Sequence, residues 1–532
     1  MCIFRRHGRM MSMGSLAAIL LFCLTVESIP ATESPSTPEP GPFKVGFKTI
    51  ERYDYSRTFG AKYDYYGNQL PGETARPIQI CIWYPAADAA DGSKMVYAEY
   101  SFPYPEDSRF FNYLSNVQNR ELRNLLGLMR GDQGSLLDLN NSPMGAIRDA
   151  AAREGRYPLI VYDPDLEHGI AENAPLLEYL ASHGFVVVTT HSVGSGALAV
   201  KAEQDDLETL IRDKEFALAA LHDFPQIDHD HIGVMGSGYG ALTTLIMAMR
   251  NGNIGAVVGL DGAYMFTDNF SLARQQANFN PSAMKQPLMQ LCRMANEGFD
   301  RALFDSLVYC PRYLYSFGGG NRACFTHYDM IAAAGDTSRL SQSSDIPNYK
   351  TVCDNIRLFF EAHLKGNAES MKALKQKLGG MQFAPELLSV SYMEAKAAPP
   401  DADQFLQILQ ERGIDEIVRL NVEFRLFSPE SSLLAEGVIV NLGYQYLRQR
   451  QMPTAIELFR MYTQGFPNAA NSWDCFAEAH LRSGDNEQAI KYYKKALEVL
   501  ETDTTTSPRM KEQIRQGATA TLEGLEKIPD DQ

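Results

Sequence analysis

The stretch His231-Ile-Gly-Val-Met-Gly-Ser-Gly-Tyr-Gly-Ala-Leu-Thr-Thr-Leu245 decides the fold of this chain. Its first part is a short apolar run typical of a buried strand, and its last part is apolar over a helical length. Between the two parts, Gly236, Gly238 and Gly240 mark a sharp turn. A strand, a tight turn and a helix in this order predict one βα unit of a mostly parallel sheet.

Similar units precede and follow this stretch. Short apolar runs alternate with helical stretches over residues 43–375, which predicts an α/β domain with a mostly parallel sheet and helices on both of its faces. The insertion 87–155 interrupts the series, contains a predicted helix at 118–129, and is expected to cover the functional site as a lid. The predicted strands are 76–85, 157–162, 185–190, 232–235, 254–260 and 287–291, and a helix is predicted at 176–183.

The glycine-rich turn has the spacing of a G-x-S-x-G motif, in which an apical serine is the attacking nucleophile. Gly236 and Gly240 hold the flanking positions, where glycine lets strand and helix pack closely. Gly238 stands at the apex. Because glycine has no hydroxyl, the motif predicts the shape of a nucleophile turn without its nucleophile.

An acid and a histidine follow the turn in the order that a serine-hydrolase triad requires. Asp261 comes 23 residues after Gly238, at the end of the next predicted strand, where ligand-facing loops collect. His327 comes last, after a further strand-like run. The alternatives are a turn aspartate before Gly262 and an ordinary surface histidine. The order favours the triad positions for both residues.

The C-terminal part is predicted to be helical from 402 to 527, after a linker at 376–401. Small and aromatic residues recur there with a 34-residue period, which is the tetratricopeptide period. The sequence predicts two such repeats, at 436–469 and 470–503, with capping helices on either side. Because free-standing arrays usually need three repeats, the two are expected to rely on neighbouring helices.

With these features the chain resembles the bacterial α/β hydrolases grouped with platelet-activating-factor acetylhydrolases and dienelactone hydrolases, over about 76–364, with a tetratricopeptide tail. The resemblance implies an α/β-hydrolase fold and cleavage of short-chain esters through an acyl-enzyme, without a metal or other cofactor. It implies that Asp261 and His327 are catalytic, with oxyanion donors at Tyr239 and Leu166. The landmarks are Arg76-Pro-Ile-Gln-Ile-Cys-Ile-Trp-Tyr-Pro-Ala86, Tyr157-Pro-Leu-Ile-Val-Tyr162, Leu180-Ala-Ser-His-Gly-Phe-Val-Val-Val188, Gly259-Leu-Asp-Gly262 and Phe325-Thr-His-Tyr-Asp329.

Two departures from that family predict impaired catalysis. The first is the missing serine at Gly238. The second is the oxyanion turn, which reads Asp163-Pro-Asp-Leu-Glu167 where the family has glycines. Pro164 has no N–H to donate, and the three carboxylates of the turn would oppose the charge of a tetrahedral intermediate. The Tyr239 N–H is the donor expected to survive.

Other residues offer alternative chemistry. Ser237 could replace the missing nucleophile, but only after a one-residue slip of the turn, because its side chain is expected to point away from the acid and the histidine. Ser192 and Ser195, in a loop after another predicted strand, are weaker candidates. The run 228–231, Asp-His-Asp-His, has metal-binding residue types, but a polar turn entering a strand is the simpler explanation and no metal is expected.

Composition and the N-terminus bound the cellular context. The net charge is −16 and no long basic run occurs, which argues against a nucleic-acid surface. Basic residues, an apolar stretch and small residues over 1–31 predict a cleaved export signal, followed by a flexible tether at 32–42. The apolar stretch is too short to span a bilayer, although an uncleaved anchor is the alternative. We therefore expect an exported protein without a membrane span after signal cleavage.

Export would leave six cysteines in an oxidising compartment. Cys310 and Cys324 are the closest candidates for a disulfide, and free buried thiols are the alternative.

Three functions follow from these observations. The first is an exported, catalytically impaired relative of carboxylic-ester hydrolases that binds a small hydrophobic or acylated ligand or a partner. The second is an active ester hydrolase that uses Ser237 with Asp261 and His327. The third is a protein or peptide interaction module formed by the repeats.

Overall fold

A mixed sheet forms the centre of the molecule in this computed structural model. Eleven strands are present in the part of the chain that the structure describes, in the order β3-β4-β1-β2-β6-β5-β7-β8-β9-β10-β11. The strands are β1 (Lys44–Thr58), β2 (Ala75–Ala86), β3 (Lys94–Val96), β4 (Pro143–Arg148), β5 (Tyr157–Asp163), β6 (Val186–Thr190), β7 (Ile227–Ser237), β8 (Ile254–Leu260), β9 (Leu288–Arg293), β10 (Arg312–Phe317) and β11 (Ser389–Met393).

The described residues are 38–59, 66–69, 75–103, 110–128, 133–166, 168–195, 200–276, 279–293, 299–317, 325–327, 345–378, 389–427 and 432–525. They belong to one unit, Pro38–Gln532. The predicted export signal and most of the predicted tether lie outside the described residues. No helix among the described residues is both long enough and apolar enough to cross a membrane.

The central strands from β6 to β10 run parallel, whereas β2 is antiparallel to both of its neighbours and β11 is antiparallel to β10. Side chains alternate between the two faces, as the pleat requires. Leu159 and Val161 of β5 pack on one face, and Ile160 and Tyr162 pack on the other. Both faces are therefore buried, which explains why these strands are apolar throughout.

Helices cover both faces of the sheet. Residues of α4 and α9 pack on the Ile160 face, and residues of α5 and α6 pack on the Leu159 face. This arrangement confirms the predicted fold class. The helices of this domain are α1 (Ala98–Ser101), α2 (Phe111–Leu128), α3 (Gln133–Asn140), α4 (Ala174–Ser182), α5 (Gln204–Ala220), α6 (Tyr239–Arg250), α7 (Thr267–Arg274), α8 (Ala302–Ser306), α9 (Asp345–Leu364) and α10 (Ala368–Leu378).

The C-terminal region is all helical, as expected. Its helices are α11 (Ala402–Arg412), α12 (Ile414–Phe427), α13 (Glu436–Arg448), α14 (Met452–Gly465), α15 (Ala470–Ser483), α16 (Asn486–Leu500) and α17 (Pro508–Leu525). Helices α11 and α12 are separated at Gly413, which adopts a positive φ of 83°. Helices α13 and α15 begin 34 residues apart, and so do α14 and α16. The tetratricopeptide assignment itself stays a prediction.

The segment between the two regions is partly ordered as sheet. Within the predicted linker 376–401, β11 pairs with β10 along the edge of the sheet. The Lys396 N–H then donates to the carbonyl oxygen of Val308 at 2.8 Å. The sequence pattern does not predict β11, because most of its residues are exposed. An edge strand with little buried surface lacks the alternation of apolar and polar residues that marks a strand.

The helical region shares an apolar cluster with the sheet domain. Val308 and Tyr309, which precede β10, are buried together with Phe405 and Leu409 of α11 and with Phe424 of α12. The rings of Tyr309 and Phe424 are stacked, with centroids 6.5 Å apart. The two regions therefore bury surface against each other in the folded chain.

Of the two alternatives for Cys310, a disulfide or a free thiol, the structure has the free thiol. Cys310 is a free, buried thiol that lies 3.2 Å from the carbonyl oxygen of Leu307, and Cys324 lies outside the described residues. The thiol of Cys310 therefore has a hydrogen-bond acceptor within a short local turn and no covalent partner. The remaining described cysteines that are free and buried are Cys81, Cys292, Cys353 and Cys475.

Candidate functional site

The turn between β7 and α6 keeps the strained geometry of a nucleophile turn. Gly238 has φ 54° and ψ −116°, a conformation that costs little only for glycine. Its N–H donates to the Leu260 carbonyl at 2.9 Å, and its carbonyl accepts the Ala263 N–H at 2.9 Å. These bonds tie the apex to the end of β8, where Asp261 follows.

The flanking glycines are required by close backbone contacts. A Cβ on Gly236 would overlap the carbonyl group of Gly240. A Cβ on Gly240 would overlap the carbonyl oxygen of Asp163, at the end of β5. Strand, turn and helix therefore pack as the motif predicted, although the apex offers only a hydrogen.

A carboxylate occupies the predicted oxyanion donor. The Tyr239 N–H, the first of α6, donates to Asp165 Oδ1 at 2.9 Å. Asp165 is buried, and it places its negative charge at the positive end of the helix. Leu166, the other predicted oxyanion residue, follows Asp165 in the same turn and is buried. A substrate carbonyl would have to displace Asp165 from Tyr239.

Asp261 lies at the end of β8 as predicted, but its side chain pairs with an arginine and not with His327. Its carboxylate forms an ion pair with the guanidinium of Arg293, which ends β9, with Nε 3.0 Å from Oδ2. Asp261 also has a positive φ of 46°. Its Oδ1 is enclosed and has no hydrogen-bond partner among the described residues.

His327 lies near a different carboxylate. Its backbone N–H donates to the carbonyl oxygen of Glu172 at 2.9 Å, and its ring lies 6.3 Å from Tyr97 and 6.0 Å from Tyr349, between ring centroids. Burial lowers the pKa of His327 to about 4, so the imidazole is neutral at neutral pH. No hydrogen bond joins Nδ1 of His327 to Asp261 within the described ranges, since that nitrogen has no partner there.

Ser237 faces Glu172 rather than the predicted acid or histidine. The serine is buried, and its Oγ lies 3.5 Å from Glu172 Oε1. Glu172 belongs to the 3-10 turn Ile170–Asn173 and is fully buried. His168 Nδ1 lies 3.3 Å from the same oxygen. Sequence reasoning did not identify Glu172, because the residues around it match no motif.

The predicted lid reaches this site. Glu121 of α2 is buried and accepts a hydrogen bond from the Gly169 N–H. Burial raises the pKa of Glu121 to about 7, with Glu172 acting in the same direction and Arg120 and His168 opposing it. Arg120 also donates to the Ser192 carbonyl at 2.7 Å. Helix α2 therefore covers the loops after β5 and β6.

The weaker sequence candidates have local roles. The Ser195 N–H donates to Asp206 at 2.7 Å, and Ser192 is buried beside Arg120. His231 Nδ1 lies 2.8 Å from Asp228 Oδ2. Across the described residues, no group of three or more acidic, histidine or cysteine side chains is arranged to hold a metal ion.

Comparisons with known proteins match parts of the chain. The family described as "BAAT / Acyl-CoA thioester hydrolase C terminal" matches residues 215–301, which include β7, the Gly238 turn and Asp261. Among solved structures, a ferulic acid esterase from Streptomyces cinnamoneus is similar at 17% identity, with a TM-score of 0.46, over 68% of this chain and 98% of that chain. No curated protein sequence matches the chain. The sheet, the glycine-rich turn and the matched segment together give the chain an α/β-hydrolase-like fold.

Proposed function

We propose that this protein is a non-catalytic α/β-hydrolase-like protein that binds a small, largely apolar ligand beneath α2. The observation that carries the proposal is the Asp165 carboxylate on the Tyr239 N–H. An oxyanion site works by offering unoccupied donors to developing negative charge. Here the donor is satisfied by a negative group, which opposes acyl transfer even if a nucleophile were supplied.

The other catalytic parts point the same way. Gly238 provides no attacking atom, Asp261 is paired with Arg293, and His327 has no carboxylate on its Nδ1 within the described residues. In a working triad the histidine takes the nucleophile's proton while the acid orients it. None of these hydrogen bonds is present in the described part of the chain. Their absence there supports a site that binds a ligand but does not transfer protons during catalysis.

A fluorophosphonate probe tests this proposal, because it labels activated serines of any substrate specificity. We expect no adduct in the intact mass of the purified protein and no hydrolysis of p-nitrophenyl butyrate above the buffer rate. A working serine esterase in the same assay is the positive control. An adduct mapped to Ser237 would overturn the proposal.

The second candidate function is an ester hydrolase that uses Ser237. One contact favours it, since Glu172 lies within reach of the Ser237 hydroxyl and could accept its proton. In that case hydrolysis and labelling would both be present in the wild type and absent in Ser237→Ala. Retention of hydrolysis in Ser237→Ala would exclude this serine as the nucleophile.

Export and the helical repeats complete the proposal. We infer that residues 1–31 direct export, which the mass of the mature N-terminus tests. We infer that the repeats 436–469 and 470–503 dock a peptide or protein, and their helix pairs with matching 34-residue offsets support this role. An unprocessed N-terminus at Met1 would contradict the export proposal.

A further inference from the structure

Glu172 lies at the centre of the site, and one of its carboxylate oxygens has no hydrogen-bond partner among the described residues. We propose that the ligand beneath α2 carries a cationic ammonium group and that Glu172 is its principal partner. This inference rests on the binding function proposed above and names the chemical class of the ligand. It follows from an excess of buried acceptors, a shortage of available donors, and an aromatic wall.

The acceptors come from three segments. Glu172 is fully buried, and its Oε1 lies near Ser237 and His168, whereas its Oε2 is enclosed with no hydrogen-bond partner in the described part of the chain. Glu121 adds a second buried carboxyl group from α2, and Asp165 adds a third beside the Gly238 turn. A buried carboxylate oxygen without a partner is costly, and a cationic donor is the group that best satisfies it.

Two donors that would attract an anionic or carbonyl ligand are already engaged. The Tyr239 N–H donates to Asp165, and the Arg293 guanidinium is paired with Asp261. Arg120, which neighbours Glu121 on α2, donates to the Ser192 carbonyl. A carboxylate ligand would therefore meet negative charge from Glu172 and Asp165 while these cations serve other partners, which disfavours it.

The remaining wall of the site accommodates a cation. The rings of Tyr97 and Tyr349 lie beside the His327 ring and are buried, and burial raises the pKa of both phenols well above their usual value. Neutral aromatic faces attract cations. The His327 imidazole is neutral as well, so it does not repel positive charge, and its enclosed Nδ1 can accept a second N–H of an ammonium group.

His168 is a partly exposed neighbour of Glu172. The side chain of His168 is 26% exposed, and its Nδ1 lies 3.3 Å from Glu172 Oε1. We place the approach of the ligand at His168, because this partly exposed side chain contacts the buried carboxylate.

Three probes of equal length test the inference. Isothermal titration calorimetry compares n-butylammonium, 1-butanol and butyrate, whose longest chains all have five heavy atoms and which differ in the head group. We expect butylammonium to bind at least tenfold more tightly than the other two, because only it brings a cationic donor to Glu172. The substitution Glu172→Gln should weaken the binding of butylammonium at least tenfold. The control Glu154→Gln makes the same charge change at an exposed residue and should leave the affinity for butylammonium unaltered.

The outcomes separate the two proposals. Equal binding of butylammonium and 1-butanol, no binding of butylammonium, or tighter binding of butyrate would overturn the ammonium inference while leaving a non-catalytic protein. A fluorophosphonate adduct on Ser237 would instead overturn the proposed function. If Glu172→Gln fails to fold, as judged by circular dichroism, Glu121→Gln replaces it, and unchanged butylammonium affinity in that variant would count against the inference.

Discussion

At the scale of single residues, Gly238 and Asp165 each remove a different catalytic requirement at the same turn. Gly238 removes the attacking atom, and Asp165 occupies the donor that would stabilise the product of an attack. Each change alone would reduce catalysis. Together they mean that restoring one part does not restore the chemistry, since the parts of a triad act as a unit.

We predict that Gly238→Ser remains inactive. A serine at φ 54° is strained, which should lower the free energy of unfolding by about 1–3 kcal/mol. Its hydroxyl would still lack an unoccupied oxyanion donor and a histidine oriented by an acid. Hydrolysis of p-nitrophenyl butyrate should stay at the buffer rate, and a measurable turnover by this variant would show that Asp165 does not block the site.

Gly240 offers a test of the packing at the turn. Gly240→Ala should lower the free energy of unfolding by more than about 2 kcal/mol in urea titration, because its Cβ would overlap the Asp163 backbone, which cannot rotate away. Gly252→Ala is the matched control, since no atom lies within 4 Å of a Cβ there. Equal stability of the two variants would contradict the close packing of β5 on α6.

At the scale of elements, α2 places a titratable group over the site. Glu121 has a pKa raised from 4.5 to about 7, so between these values the folded protein holds a proton that the unfolded chain has released. The contribution of Glu121 to stability is therefore complete below pH 4.5 and is lost as pH rises towards 7, by up to about 3 kcal/mol.

We predict that Glu121→Gln removes this dependence. Between pH 5 and pH 8 the melting temperature of the wild type should fall more than that of the variant, because glutamine has no proton to release. Glu154→Gln should keep the wild-type pH profile, since Glu154 is exposed. Parallel profiles for wild type and Glu121→Gln, measured by calorimetry, would show that Glu121 does not titrate in this range.

The elements that sequence reasoning predicted are the ones with strong periodicity. The parallel strands β5 to β9 are apolar on both faces, and their apolar runs identify them. The peripheral strands β1 and β11 carry exposed polar residues, so their pairing depends on neighbours that are distant in sequence.

The same limit applies to the site. The order of Gly238, Asp261 and His327 is readable from the sequence. Gly238 lies at the predicted turn, and Asp261 follows β8. The contact of Asp165 with Tyr239, 74 residues apart, could not be read, because nothing local specifies which carboxylate faces a given donor. Glu172 was missed for the same reason.

At the scale of the whole molecule, the helical region covers part of the sheet domain. Val308 and Tyr309 are buried in a cluster with α11 and α12. The strand β11 and the Lys396 bond continue this contact along the chain. The region after residue 400 therefore covers apolar residues of the sheet domain.

We predict that a chain ending at Pro400 self-associates. Removal of α11 and α12 would expose Val308 and Tyr309, an apolar patch that favours association. Size-exclusion chromatography with light scattering should show oligomers, and Tyr309→Ser in the truncated chain should reduce them. A monodisperse, stable truncated chain would instead indicate that the helical region is an independent module.

The Asp165 carboxylate has one more consequence. A carboxylate tethered next to its donor acts as an internal competitor, present at a fixed and high effective concentration regardless of what is dissolved outside. Any free acid or ester must outcompete it at Tyr239, and dilution never removes it. An external carbonyl or carboxylate group is therefore disfavoured at Tyr239 compared with contacts elsewhere in the site.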